Sequence, residues 1–219
     1  MWPRILPFAS YMAFVAIHGL VTSWPGLEVE DGILWLYPIK IGFVSLVLLH
    51  YRKSYTELKV SVFSGIGEVV LACGVGIFVY LAWVRMNFSW ASQGPVGGYN
   101  PFEAAGSRAF YLAGFRLLGA SLVVPIMEEL FWRSFLIRFI VSADFLSLPL
   151  GKFTVNSFVI STLLFGVEHH LWLAGMMAGA AYTLLLYKTG RIWSCILAHG
   201  VTNFALGLHV LVTQEWFWW

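Results

Sequence analysis

Seven apolar runs, most of them close to the length a helix needs to cross a bilayer, dominate this sequence. They are Ile5 to Ser23, Gly32 to His50, Ser64 to Met86, Phe110 to Ile140, Thr154 to His169, Leu171 to Tyr187 and Ile192 to Val212. About 20 helical residues span the hydrocarbon core, where each backbone N–H and C=O must find its partner within the protein. The expected fold class is therefore all-α: a polytopic transmembrane helical bundle of about seven spans. Residues 1–219 are expected to form a single integral-membrane domain. The chain is 59% hydrophobic and 11% charged, against about 25% charged in soluble domains. The fourth run exceeds one span, so its helix is expected to tilt or to project into the cytoplasm. The first follows only Arg4, is long for a signal-peptide core and precedes no A-x-A-like site. It reads as an uncleaved span.

Loop charges set the expected orientation. The first connection carries Glu28, Glu30 and Asp31, and the second Arg52, Lys53 and Lys59. The third, Asn87 to Ala109, is long, Gly/Pro-rich and weakly charged. The end of the fourth run carries Arg133, Arg138 and Lys152, and Lys188 and Arg191 follow the sixth. The positive-inside rule then places the N-terminus and the second, fourth and sixth connections in the cytoplasm. The Trp-rich tail, Gln214 to Trp219, would lie outside as an interfacial anchor. Gly175 and Gly179, with Ala174, Ala178 and Ala181, form a small-residue face for close helix approach. Cys73 and Cys195 read as two small apolar residues. No repeat or phosphate-binding glycine loop occurs, and nothing points to nucleic acid.

Against this background, adjacent carboxylates Glu128 and Glu129 stand out. Each costs about 2.5 kcal/mol or more at membrane depth. Such a pair persists when it is paired, protonated or used in chemistry. Arg133 lies four residues after Glu129, on the same helix face. This pairing leaves Glu128 as the freer acid. His199 and Asn203 also stand four residues apart and can both donate hydrogen bonds to an oxyanion. His169 ends the fifth run beside Glu168 and His170. From a rise of roughly 1.5 Å per residue, Glu128, His199, Asn203 and, least easily, His169 are expected to converge near the membrane middle.

A carboxylate with a histidine can activate water, and a second histidine with an asparagine can hold the resulting oxyanion. The set suits hydrolysis of an amide or ester. Two histidines and a glutamate also match a catalytic zinc ligand set, with the other glutamate as base. H-E-x-x-H is absent, so a metal-independent reaction is favoured, with a divalent metal such as zinc as the alternative.

Glu128-Glu129-x-x-x-Arg133, Phe165-x-x-x-His169 and His199-x-x-x-Asn203, in this order on separate runs, resemble the three motifs of the CPBP family. These are the CAAX-processing and bacteriocin-processing membrane endopeptidases, also called Abi proteins. The resemblance covers about Pro125 to Gly207, and the motif-bearing core is expected at about residues 110–212. It implies an intramembrane endopeptidase in which Glu128 and His169 activate water, His199 and Asn203 stabilise the oxyanion, and Glu129 and Arg133 orient the site. Family members are described both as glutamate proteases and as metalloproteases. The implied partners are a membrane-associated protein or peptide substrate and the lipid bilayer, with the chain in a bacterial inner membrane.

Trp35 to Lys40 and Tyr55 to Leu58 look like a CPBP subgroup found beside exosortase sorting systems, whose substrate need not be prenylated. Lys40 and Arg116 then read as structural charges or as contacts to a substrate terminus. A non-enzymatic immunity or scaffold protein is the alternative from another class. A transporter ranks last, since broken-helix pairs and inverted repeats are not visible.

Overall fold

The computed structural model describes residues 1–23, 31–94, 98–103 and 107–219. Glu28 and Glu30 of the first connection lie outside the described residues. Seven helices stand where the apolar runs predict them. They are α1 (Trp2–Ser23), α2 (Leu36–His50), α3 (Ile66–Trp83), α4 (Arg108–Val141), α5 (Val155–Glu168), α6 (Trp172–Thr189) and α7 (Ile192–Thr213). Among the described residues there is no strand, only one isolated bridge between Ser92 and Leu171.

Five of these helices (α1, α2, α3, α4 and α7) are long and apolar enough to cross a membrane. Helix α5, at 14 residues, rises only about 21 Å. It starts at the Thr154 cap, whose hydroxyl accepts from the Ser157 N–H. It stops at His169, which turns into extended backbone. Helix α6 carries its small-residue face into the bundle, with Ala174, Gly175, Ala178 and Gly179 all buried. A Cβ on Gly175 would meet Gly166 Cα and His169 Cβ at 3.0 Å, so α5 and α6 pack backbone to backbone. The outward faces are apolar, as at Phe110 and Val212, which are 72% and 83% exposed in the isolated chain.

Helix α4 is not a uniform α-helix. Two π-helical segments, Gly119–Val123 and Leu130–Leu136, flank the short α-helical stretch Val124–Glu129 that carries both glutamates. A π-segment widens the helix and shifts its carbonyls out of the regular ladder.

Polar contacts divide the bundle into two ends. At one end Arg4 bonds Glu57 through two nitrogens at 2.7 and 2.6 Å, and the Ser134 hydroxyl donates to the same carboxylate. Arg138 donates to Ser134 at 2.8 Å. Arg191 pairs with Glu68 at 3.3 Å, and Ser194 donates to Glu68. These bonds gather the N-terminus with the second, fourth and sixth connections, the grouping expected from loop charge. At the other end Gln93 bonds the His170 backbone, Tyr99 donates to Leu34, and Tyr80 meets His209. Arg85 and Arg108 also lie at this end, against the charge bias.

Burial pushes the Glu57 carboxyl up, but hydrogen bonds from Arg4 and Ser134 outweigh it and hold it below its ordinary value of 4.5. The resulting stabilisation is present above that value and is lost as pH falls through the lower folded one. Glu57→Gln should therefore lower stability by about 3 kcal/mol at pH 7, since it strands a buried Arg4. Melting curves in detergent should show the gap from wild type shrinking below about pH 4.

Candidate active site

Glu129 is fully buried and holds two partners. Its Oε2 lies 3.2 Å from Arg133 Nε, and its Oε1 lies 2.8 Å from His199 Nδ1. Spacing alone points to the arginine. The bond to His199, from α4 across to α7, is visible only in three dimensions. Arg133 is 1% exposed. Its guanidinium lies 4.4 Å over the Phe165 ring and 5.5 Å from that of Tyr182, and it donates to the Gly179 carbonyl at 3.3 Å. One arginine therefore touches α4, α5 and α6 together.

The neighbouring glutamate is in a different situation. Glu128 is 5% exposed, and its Oε2 has no hydrogen-bond partner. It lines a cavity of about 190 Å³ together with His169, His199 and Asn203. Residues from the three motifs therefore face one space. An adjoining chamber of about 310 Å³ shares Glu128 and His169 and adds Glu168 and His170.

Hydrogen bonds assign the histidine tautomers. The Phe165 carbonyl, 2.6 Å from His169 Nδ1, can only accept. The proton is therefore on Nδ1, and neutral His169 has a free lone pair on Nε2. His199 Nδ1 donates to Glu129, whose charge Arg133 balances. Its Nε2 then donates only when the ring is an imidazolium. The ring stacks on Tyr182 at 5.0 Å. Asn203 Nδ2 donates to the Ala120 carbonyl at 2.8 Å, inside the first π-segment. That bond fixes which side of the carboxamide is nitrogen and leaves its second N–H unused. Close approach of α7 allows this, because a Cβ on Gly200 would sit 2.8 Å from the Ser121 carbonyl.

Short α5 explains how His169 reaches the site. The sequence estimate makes it the deepest member, about 25 Å from Lys152. The helix ends there, and the third connection folds over the end, with Gln93 Nε2 donating to the Val167 and His169 carbonyls. The C-terminal tail also does more than anchor at an interface. Gln214 turns the chain with a left-handed φ of 60°, and Trp218 and Trp219 line both chambers.

Glu168, which the sequence places beside His169, faces the second chamber with an unpartnered Oε2. Other lining residues were not picked out from the sequence. Tyr11 and Tyr182 carry no sequence signal that separates them from core aromatics. Glu68 is a tether between α3 and α7.

The zinc alternative takes one glutamate as ligand and the other as base, and Glu129 is bonded to Arg133 and His199. Among the described residues no three His, Cys, Asp or Glu side chains group closely enough to hold one ion.

Residues 111–205 match the family model described as Type II CAAX prenyl endopeptidase Rce1-like. The matched stretch contains Glu128, Glu129, Arg133, His169, His199 and Asn203. No curated protein and no solved structure shows significant similarity to the chain.

Gly175 should be unable to accept a larger side chain, because α5 lies against it. Gly175→Val should lower stability by about 1–3 kcal/mol. Gly74, with nothing within 4 Å of a built Cβ, should tolerate valine. Thermal unfolding of the two variants in detergent reads the difference.

Proposed function

We propose that this chain, related over residues 111–205 to the CPBP/CAAX protease family, is an intramembrane endopeptidase that cuts a protein substrate by glutamate-activated water. The observation that carries the reading is the shared cavity, where an unpartnered buried carboxylate, two imidazoles and a carboxamide face one another.

The chemistry follows from the hydrogen-bonding roles. A water between Glu128 and His169 gives one hydrogen bond to the carboxylate and one to the free Nε2. Its remaining lone pairs can then attack the substrate carbonyl. As the C–O bond forms, a proton passes to Glu128, and the carbonyl oxygen becomes an oxyanion. Asn203 offers its unused N–H, and His199 donates from Nε2 as an imidazolium. Collapse of the intermediate breaks the C–N bond, and Glu128 returns its proton to the leaving nitrogen. Glu129 acts on His199 by holding its Nδ1. Arg133 holds Glu129 in place.

Orientation follows the charge bias. Eight of the 13 Lys and Arg residues lie at the end tied by Arg4, Glu57 and Arg191, which supports a cytoplasmic N-terminus in a bacterial inner membrane. Trp83, His170, Trp218 and Trp219, which line the chambers, lie toward the opposite end. The substrate then enters from outside the cytoplasm.

Purified protein in liposomes, assayed by mass spectrometry on membrane-associated peptides, tests the reading. Glu128→Gln should reduce cleavage by about a hundredfold or more while the protein stays folded. Glu129→Gln should leave measurable activity. A chelator should leave the wild-type rate unchanged. Full cleavage by a folded Glu128→Gln protein would remove the mechanism.

A further inference from the structure

A substrate must place its scissile bond among Glu128, His169, His199 and Asn203. The chamber where these four meet holds about 190 Å³. Pockets for small ligands run about 300–1,000 Å³, and a peptide segment needs more. A wall must therefore move before a substrate enters. The helix walls are tightly tied to one another. Asn203 joins α7 to the Ala120 carbonyl of α4, and Thr202 donates to the Gly76 carbonyl of α3 at 2.9 Å. Tyr182 of α6 donates to Thr202 at 2.8 Å. Helices α5 and α6 are in backbone contact at Gly166 and Gly175.

One wall is built differently. Residues 214–219 double back from the end of α7, so that Trp218 and Trp219 line both chambers and Phe217 the larger one. The reversal is at Gln214, the one non-glycine among the described residues with a left-handed φ. Backbone hydrogen bonds of this segment run only back to α7 or within it: Gln214 to Val210, Trp218 to Glu215 and Trp219 to Trp216. Side chains make its other contacts. Glu215 Oε2 accepts from Trp218 Nε1 at 3.1 Å and lies 3.5 Å from His209 Nε2 on α7. Glu215 is half exposed, where an ion pair contributes little. The Trp216 ring lies 5.6 Å from that of Phe102, and the Trp219 ring 6.3 Å from that of Tyr99, both in the third connection. Ring contacts and one exposed ion pair thus hold the wall that covers the site.

We infer that residues 214–219 form a hinged gate over the active-site cavity. In the closed form seen here, Trp218 and Trp219 wall off the motif residues at the end of the bundle opposite the Arg4–Glu57 cluster. To open, the segment swings about Gln214, the Glu215–His209 pair and the two ring contacts part, and both tryptophans leave the chambers. The helices keep their places, so the catalytic groups stay aligned while the entrance widens. Closing again sequesters the bound peptide from bulk water. What passes the gate rests on the endopeptidase reading above; the opening itself does not.

Thiol labelling of protein in lipid nanodiscs reads the opening without any need for cleavage. Leu206 lines the smaller chamber, so Leu206→Cys in a Cys73→Ala background takes up a bulky, membrane-impermeant maleimide only when the gate opens. Glu215→Ala should speed this labelling roughly two- to fivefold, the contribution of an exposed ion pair. Deletion of residues 214–219 should speed it further. Cys195, buried on the same helix, should stay unlabelled throughout. An unchanged rate in either variant, or Cys195 labelling in step with Leu206→Cys, would overturn the gate. A lock separates a gate from a fixed wall. A Cβ on Gly98 would lie 2.9 Å from Trp216 Cβ, slightly closer than the roughly 3.5–4.5 Å of a disulfide. Oxidised Gly98→Cys/Trp216→Cys protein should therefore cleave peptide roughly tenfold or more slowly than the reduced form, with the rate restored by reductant. Equal rates, with the bond verified by mass spectrometry, would overturn the gate. If wild type cleaves no peptide, the endopeptidase reading fails and labelling alone decides the gate. Labelling decides it likewise if the disulfide does not form.

Discussion

A single buried carboxylate organises the centre of this bundle. Glu129 bonds Arg133 on its own helix and His199 on the last one. Arg133 could not remain there without it, because a lone charge in an apolar bundle has no water to turn to. Arg133 in turn lies against Phe165 and Tyr182 and donates to Gly179. The bridge therefore orients α4, α5, α6 and α7 around one point. The hydrophobic effect does not sort helices within lipid. Polar contacts of this kind and close small-residue packing carry that task here.

The shape of α4 follows the same logic. A uniform α-helix would keep the Ala120 carbonyl in its regular ladder. The π-segment at Gly119–Val123 turns that carbonyl toward α7, where Asn203 donates to it. The second π-segment contains Arg133 and Ser134, which face the central bridge and the Glu57 cluster respectively. Irregular backbone is tolerated at this depth because neighbouring helices satisfy it. Glu128 and Glu129 lie between the two segments, and their surroundings differ accordingly. Glu129 is held by Arg133 and His199, while Glu128 faces the cavity.

The two ends of the bundle carry different duties. One is closed by ion pairs among Arg4, Glu57, Glu68 and Arg191. The other is built from aromatics and backbone hydrogen bonds and contains the chambers. The Trp-rich tail belongs to this second end, where it turns inward and lines the cavity. Its composition suggests an interfacial anchor, because tryptophan suits both places and only the turn at Gln214 distinguishes them.

Helix number, helix positions and the grouping of the loops were legible in the sequence, because length in lipid and loop charge act locally. The Glu129–Arg133 pair was legible too, since i and i+4 meet on any helix. Other features needed the tertiary structure. The Glu129–His199 bridge joins residues 70 positions apart. The π-segments depend on partners in other helices. The end of α5 at His169 depends on a loop that folds over it, and the aromatic setting of Arg116 depends on tyrosines from α2 and the third connection. Membrane depth and helical period are properties of single segments, so the sequence alone determines them. Which charges meet a counter-ion and which face a cavity depends on contacts between segments, and only the packed bundle decides it.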